Sequence, residues 1–136
     1  MTRINLVPPS ELCDQHLLAE FREITRIPNG ILKGTLKSFY PDAPKTYTLG
    51  AGHVKFFVDK IRFLDSRYRA LWYECNFRSF NVTHIWPEEV FGFKTYVPSW
   101  DDICVNRSRI CERMPKRARW TNRVRPAWAM ENVNEV

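Results

Sequence analysis

The chain has 136 residues, a length that supports one domain around a single hydrophobic core. Apolar residues make up 44% and charged residues 26%, as in ordinary globular proteins, and no stretch approaches the roughly 18 uncharged apolar residues of a membrane span. The 21 Lys and Arg residues against 15 Asp and Glu give a formal net charge of +6, which favours a polyanionic partner such as nucleic acid.

The four cysteines show no metal-ligand spacing. Cys13, Cys75, Cys104 and Cys111 include no CxxC pair, and none has a histidine at ligand spacing. We therefore expect four reduced and mostly buried thiols, and neither a metal nor another cofactor. The N-terminal residues lack the apolar segment of a secretory signal, which favours a cytoplasmic protein without a membrane partner.

The first predicted helix follows two prolines, with Ser10 as its N-cap and residues 10–26 as its extent. Its buried face is marked by apolar residues at helical spacing: Cys13, Leu17, Phe21 and Ile24. The Pro-Asn-Gly run at 28–30 predicts a break, after which residues 30–39 are predicted to form a second helical piece. Residues 40–52, rich in Pro and Gly, are predicted to form a loop.

The strongest helical periodicity lies in the middle of the chain. Apolar residues step there by three and four: Val54, Phe57, Val58, Ile61, Leu64, Tyr68, Leu71, Trp72 and Cys75. This pattern predicts a central helix from about 53 to 79 that forms the heart of the core. Residues 80–98 are predicted to be irregular.

A third helix is predicted to begin at Ser99, because Ser99 and Asp102 have the spacing of a capping box, and to end at Pro115. Its buried face is predicted to contain the following residues: Trp100, Ile103, Cys104, Cys111 and Met114. No segment shows the alternation of a strand. The fold class is therefore all-α, a single domain over 1–136 with about three main helices, long irregular connections and an extended basic C-terminal tail.

The basic tail carries eight cations and one acid between residues 107 and 125. Arg109 and Arg113 are four apart on one helix face, where like charges repel unless phosphates neutralise them. Trp120 and Trp128 are interleaved with the cations, a pattern suited to packing on sugars or bases. The segment predicts contact with DNA or RNA, and a solvated basic tail is the alternative.

The first helix also has a polar face opposite its apolar one. The residues on it are Gln15, His16, Ala19, Arg22, Glu23 and Arg26. A single carboxylate flanked by cations fits a catalytic site and a surface salt-bridge patch equally well.

Thr2 adds a candidate nucleophile. A small residue after Met1 favours removal of the initiator, which leaves a free α-amine on Thr2. Such an amine has an ordinary pKa of about 7.7–8.0, so part of it is neutral near pH 7 and can form a Schiff base with a sugar aldehyde. A nearby carboxylate could handle the protons. The sequence alone does not place this amine beside the first helix.

Motifs along most of the chain match one known family. They are the runs 1–6, 10–12, 14–17, 22–23, 49–54, 56–57, 59–60, 63–64, 74–75 and 80–81, with Arg26, Tyr96 and Pro98. In these motifs and in length the chain resembles the phage pyrimidine-dimer DNA glycosylases called endonuclease V. The combination of Thr2, Glu23 and the run 50–54 makes the resemblance specific.

The resemblance implies a base-excision repair enzyme of the host cytoplasm, active on UV-induced cyclobutane pyrimidine dimers in double-stranded DNA. The α-amine of Thr2 would attack C1′ of the 5′ pyrimidine and form an imine, and Glu23 would assist the β-elimination that nicks the strand. The adenine opposite the lesion would be flipped out. A monomer without a cofactor or an obligate protein partner is implied as well.

The resemblance also implies which residues hold the substrate. Phosphates and lesion would be held by Arg3, Gln15, His16, Arg22 and Arg26, with basic DNA contacts from Arg109 and Arg113 and an aromatic near the lesion from Trp120.

The chain departs from the family at several points. Phe21 replaces a family Tyr, residues 28–48 match poorly, the run 120–124 lacks tyrosines, and the end is acidic through Glu131 and Glu135. These changes leave the lesion spectrum open. Two other functions remain: a non-catalytic DNA-binding module, and an abasic-site lyase without glycosylase action.

Overall fold

The structure is a computed structural model that describes residues 2–129, and all the regular secondary structure within that range is helical. A 3-10 turn at Pro9–Glu11 precedes five helices: α1 (Asp14–Ile24), α2 (Arg26–Lys33), α3 (His53–Phe57), α4 (Ile61–Phe77) and α5 (Trp100–Glu112). The all-α prediction is confirmed. Among these helices, none has the length and apolar content required to cross a bilayer. The predictions on Met1, Glu131 and Glu135 lie outside the described residues.

The first helix begins later than predicted. Ser10 lies inside the 3-10 turn, and α1 is preceded by Cys13, whose side chain makes no capping hydrogen bond. The predicted N-cap is therefore wrong, because the fixed φ of Pro9 starts a separate turn before the helix. The predicted apolar face is correct, since Leu17, Phe21 and Ile24 are all buried.

The break after α1 is at Thr25, not at residues 28–30. Pro28 is the third residue of α2, where its missing N–H leaves no helical hydrogen bond unmade, so the residue does not interrupt the chain there. The second helical piece ends at Lys33 instead of residue 39. Gly34 ends it in the left-handed conformation, with φ of 83°.

The predicted central helix is two helices. Residues 58–60 separate α3 from α4, and Lys60 is non-helical with φ of −108° and ψ of 50°. Its ammonium donates to the carbonyl of Phe56 at 2.6 Å, which stabilises the turn. The apolar stripe is buried at Leu64 and Leu71 as predicted, whereas Trp72 is exposed.

α5 begins where predicted, and its predicted buried face is correct only in part. Ser99 Oγ accepts from the backbone N–H of Asp102 at 3.1 Å, and Asp102 accepts from Ser99 N–H at 3.2 Å, which is a capping box. Ile103 and Met114 of the predicted face pack against the core and are partly buried, but Trp100 is exposed, and the buried positions are Asn106 and Ile110. A polar residue occupies the core face because it binds buried backbone of the N-terminal segment.

The core is built where α1 packs against α4, and the N-terminal segment contributes Ile4, Leu6 and Val7 to it. Beyond α5 the basic tail is irregular and lies across the start of α1. The backbone N–H of Asp14 donates to the carbonyl of Arg119 at 2.6 Å. All four cysteines are free, two buried and two partly buried.

Candidate active site

In the N-terminal segment 3–7, residues 4–7 are buried although the segment belongs to no helix or sheet. Its backbone N–H and C=O groups therefore need side-chain partners, because unpaired buried polar groups are costly. Ile4 N–H donates to Nε2 of His53 at 2.9 Å, and its carbonyl accepts from the hydroxyl of Tyr47 at 3.2 Å. Both partners lie more than 40 residues away in sequence, so the start of the chain is held by the fold around α3.

Asn106 holds the next part of this segment. Its Oδ1 accepts from the backbone N–H groups of Leu6 at 2.7 Å and Val7 at 3.3 Å. Its Nδ2 donates to the side chain of Asn5 at 2.8 Å. The side chain is completely buried. α5 thereby fixes residues 5–7 as firmly as α3 fixes Ile4.

These anchors bring the N-terminus to α1. The backbone N–H of Arg3 donates to Oε1 of Glu23 at 3.1 Å. Thr2 precedes Arg3, and three covalent bonds separate the two backbone nitrogens, so the Thr2 nitrogen lies within about 7 Å of that carboxylate oxygen. Two residues that are 21 positions apart in sequence thus share one site.

A cavity of about 230 Å³ opens at this point of the molecule. It is lined by Arg3, Asn5, His16, Ala19, Glu20, Glu23, Ile110 and Arg113. Four of the predicted catalytic and substrate-binding residues therefore meet around one cavity, namely Arg3, His16, Glu23 and Arg113. Ala19, which lies between His16 and Glu23 along α1, also lines the cavity with a small side chain.

The two carboxylates of the cavity differ in their partners. Glu20 is almost fully buried and binds the guanidinium of Arg67 through both oxygens, at 2.8 Å and 2.9 Å. It also accepts from Asn5 at 2.9 Å. Glu23 is half-buried, and its described hydrogen bond is the one from Arg3. Glu20 is thus committed to the fold, whereas Glu23 retains acceptor capacity toward the cavity.

Positive charge converges on this site. Burial lowers the pKa of Arg3, and repulsion from Arg109 and Arg113 lowers it further, an indication that the three guanidinium groups lie near one another. Clustered cations of this kind attract phosphates and favour the neutral form of a nearby amine.

His16 faces the cavity as a neutral ring. Its Nε2 lies 3.1 Å from the carbonyl of Arg113, and a carbonyl can only accept, so this nitrogen carries the proton. Nδ1 is buried and has no partner among the described residues. Burial lowers the pKa of His16, which favours this neutral form. In this state Nδ1 is an acceptor, and a phosphate contact there would require its protonation.

Other predicted binding residues lie outside the cavity lining. Arg22 and Arg26 are exposed at the end of α1 and the start of α2. Arg109 is partly buried, 3.5 Å from the carboxylate of Glu112, in a separate open groove on α5. Arg109 therefore acts on the cavity through its charge alone.

Gln15 and Trp120 lie at the opposite end of α1 from Glu23. The Gln15 amide binds tail backbone, donating to the carbonyl of Arg117 at 2.7 Å. The indole of Trp120 donates to the carbonyl of Glu11 at 2.9 Å. Nine residues separate the start of α1 from Glu23, a rise of about 13 Å. The structure does not bring the Trp120 ring to the cavity.

Sequence reasoning missed the residues that assemble the site. His53 belongs to a motif of the resemblance, but its backbone partner Ile4 is 49 positions away. Asn106 was detectable as a polar residue four positions before the buried Ile110. Glu20 lies one turn before Glu23, and no local pattern separates the paired carboxylate from the open one. No cluster of three or more His, Cys, Asp or Glu side chains suited to a metal occurs among residues 2–129.

The chain matches one family model, described as pyrimidine dimer DNA glycosylase, over residues 1–88. The matched span contains the anchored N-terminal segment, α1 with Glu23, and α3 with His53. Arg113 and Trp120 follow it. The resemblance drawn from the sequence motifs is thereby confirmed.

Proposed function

The chain belongs to the pyrimidine dimer DNA glycosylase family, and from that premise we propose that it excises dimers through an imine on Thr2 and then nicks the strand. Membership makes it a DNA repair glycosylase. The observation that supports the finer mechanism is the hydrogen bond from Arg3 N–H to Glu23, because it keeps the Thr2 nitrogen within about 7 Å of a carboxylate that lines a cavity.

The first step is glycosidic cleavage. The neutral α-amine of Thr2 attacks C1′ of the 5′ pyrimidine nucleotide, and the C1′–N bond breaks with its electron pair going to the base. The base takes a proton from water, and the amine gives its own proton to the Glu23 carboxylate. The 5′ base stays attached to its neighbour through the cyclobutane ring, while its sugar is bound to Thr2.

The second step opens the sugar and cuts the strand. The nitrogen lone pair forms the imine as the C1′–O4′ bond breaks, and O4′ takes the proton from Glu23. The carboxylate then removes a proton from C2′, and the electron pair expels the 3′ phosphate. Water hydrolyses the conjugated imine and frees the amine. A single carboxylate with open acceptor capacity suits both proton transfers.

DNA is held by charge along the same surface. Arg3 and Arg113 line the cavity, and Arg109 adds its charge nearby. Arg22 near the end of α1 and Arg26 at the start of α2 are both exposed close to Glu23 in the chain, where they can reach phosphates beyond the cavity. The DNA would also contact three residues toward the start of α1, namely Gln15, His16 and Trp120. As long as its ring is neutral, His16 would accept a hydrogen bond there through Nδ1.

The availability of Glu23 favours an enzyme over a DNA-binding module, since a module would have no use for a carboxylate between phosphate-binding arginines. The choice between a dimer glycosylase and an abasic lyase depends on the substrate. We expect nicks in UV-irradiated duplex and in abasic duplex. Cutting of abasic DNA alone would mean that the lyase step is present without the glycosylase step.

The experiment compares Glu23→Gln with Glu112→Gln, an exposed carboxylate at the end of α5. Each protein is incubated with irradiated plasmid, and nicking and lesion binding are measured separately. Glu23→Gln should keep binding and lose cutting, and Glu112→Gln should retain both. Parallel loss of binding and cutting in Glu23→Gln would mean that Glu23 is structural.

A further inference from the structure

His53 is buried and its two ring nitrogens have defined roles. Nδ1 lies 2.8 Å from the carbonyl of Thr48, which can only accept, so Nδ1 carries the proton. Nε2 then has a free lone pair, which accepts a hydrogen bond from the N–H of Ile4 at 2.9 Å. The ring is therefore neutral and in one tautomer, and both nitrogens are satisfied.

The surroundings of His53 disfavour a second proton. The residue is 5% exposed, and its ring packs against Tyr47 and Phe57 with centroids 5.6 Å and 5.3 Å away. Burial lowers the pKa of His53 below its ordinary value of 6.5. The Thr48 carbonyl opposes that shift, the Arg3 guanidinium adds to it, and the Glu20 carboxylate on α1 opposes it more weakly.

We propose that His53 is the positioning residue that holds Thr2 and Arg3 against Glu23, and that protonation of its Nε2 releases them and stops the reaction reversibly. The second half of this inference rests on the proposed function. A proton on Nε2 would set two donors, the imidazolium and the Ile4 amide, against each other at the present 2.9 Å. Ile4 must then move, and Arg3 N–H, one residue away, moves with it from Glu23.

The release is local, because the neighbouring anchor does not titrate. Asn106 binds the backbone of Leu6 and Val7 through an amide that has no charge state to change near neutral pH. Residues 5–7 therefore stay in place, and the Tyr47 hydroxyl still holds the Ile4 carbonyl, while the Ile4 N–H and residues 2–3 move. The N-terminal arm has one anchor that responds to acid, His53, and two that do not, Asn106 and Tyr47.

The first test needs no DNA and no variant. Nuclear magnetic resonance follows the ring nitrogens of His53 and the amides of Arg3, Ile4, Leu6 and Val7 as the pH falls from 8. We expect Nε2 of His53 to carry no proton at high pH. The amide resonances of Arg3 and Ile4 should shift with the midpoint of the His53 titration, which we expect below pH 6.5. Leu6 and Val7 should not follow that midpoint.

Three results would overturn the inference: a proton on Nε2 at neutral pH, Arg3 and Ile4 amides that ignore the His53 titration, or an imidazole that stays neutral until the whole chain unfolds. Because this test involves no substrate, a protein that failed to cut dimers could still pass it. Failure of the inference and failure of the proposed function are thus separable.

The second test uses the rate of borohydride trapping on abasic DNA. As the pH falls below the pKa of the Thr2 amine, protonation of the amine lowers this rate about tenfold per pH unit. Below the midpoint of the His53 titration, protonation of His53 should lower the rate by about a further tenfold per pH unit. His53→Gln supplies an amide oxygen that accepts from Ile4 and does not titrate, so we expect it to lose the second dependence. His84→Gln, at an exposed histidine, is the matched control and should behave as wild type. If His53 had only a structural role, His53→Gln would lower the trapping rate by the same factor at every pH.

Discussion

The carboxylates at the two ends of α1 differ in their hydrogen-bond partners. At the start, Asp14 accepts from Arg78 at 2.8 Å and from the backbone and hydroxyl of Thr121 at 3.0 Å and 2.6 Å. Toward the end, Glu23 accepts from the backbone of Arg3 and faces a cavity. The same type of side chain on one helix thus stabilises the fold at one end and is available for chemistry at the other.

The pairing at the start of α1 continues into α4 and the tail. Arg78 is completely buried and also binds Glu74 at 2.8 Å, and Glu74 receives two hydrogen bonds from Arg123, each 2.9 Å long. Every charge in this network has a partner. The tail arginine at 123 is therefore tied to the fold, whereas Arg113 remains exposed beside the cavity. Of these two arginines, Arg113 is therefore the better candidate DNA ligand.

The largest expected effect is on Glu23. Glu23→Gln keeps an oxygen to accept from Arg3 N–H and removes the base, so cutting should fall by about 10²- to 10⁴-fold. The melting temperature should stay near that of wild type, since the hydrogen bond survives. Nicking rates together with thermal unfolding check this. A large drop in melting temperature would place Glu23 in the same class as Asp14.

The reverse pattern is expected for Asp14. Asp14→Ala leaves the buried Arg78 with one carboxylate instead of two, and should lower the free energy of unfolding by about 3 kcal/mol. Cutting per folded molecule should be unchanged. Urea unfolding and nicking, measured on the same preparation, separate the two quantities. If fully folded Asp14→Ala lost cutting activity, the conclusion that Asp14 stabilises the fold and Glu23 serves the chemistry would be contradicted.

A smaller effect is expected for Arg113. Arg113→Ala should weaken binding to damaged and undamaged duplex alike and reduce the slope of log affinity against log salt by about 1, as loss of one phosphate contact does. Arg69→Ala is the matched control, since this exposed arginine pairs with Asp65 on α4, outside the cavity lining. A loss confined to damaged DNA would mean that Arg113 contacts the lesion.

The smallest effect is a pH dependence of stability. Burial acts to raise the pKa of Asp14, but hydrogen bonds from Thr121 and Arg78 outweigh it and the pKa lies below 3.8. A carboxyl with a depressed folded pKa stabilises the protein above its unfolded pKa, and this contribution is lost as the pH falls through the folded value. The stability gap between wild type and Asp14→Ala should therefore shrink below about pH 4, as urea unfolding at pH 5, 4 and 3 would reveal. A constant gap would contradict this ionisation.

Helical segments were predictable because their apolar residues repeat at the spacing of a helix, and the capping box at Ser99 is a local signal. Helix ends were less predictable. Pro28 breaks a helix interior but is tolerated in a first turn, so its effect depends on where the helix starts. The interruption at residues 58–60 leaves the apolar period intact, and the stripe alone therefore indicated one helix.

The sequence predicted which residues belong to the candidate site, but it could not predict how they are arranged in space. Thr2 and Glu23 were identified by chemistry and by motif, but their proximity depends on hydrogen bonds that the backbone N–H groups of Ile4 and Leu6 donate to side chains 49 and 100 positions away. Periodicity carries no information about such pairings. It also could not show that Arg67 neutralises Glu20, which leaves Glu23 as the open carboxylate of the two.

The central claim is that the amine of Thr2 becomes bonded to the sugar beside Glu23. The most direct measurement is to treat purified protein of known N-terminal mass with irradiated duplex and borohydride, digest the adduct, and locate the sugar by mass spectrometry. The account predicts a deoxyribose remnant on the α-nitrogen of Thr2, with Met1 removed. A remnant on a lysine side chain, or no adduct from correctly processed protein that still cuts the DNA, would contradict it.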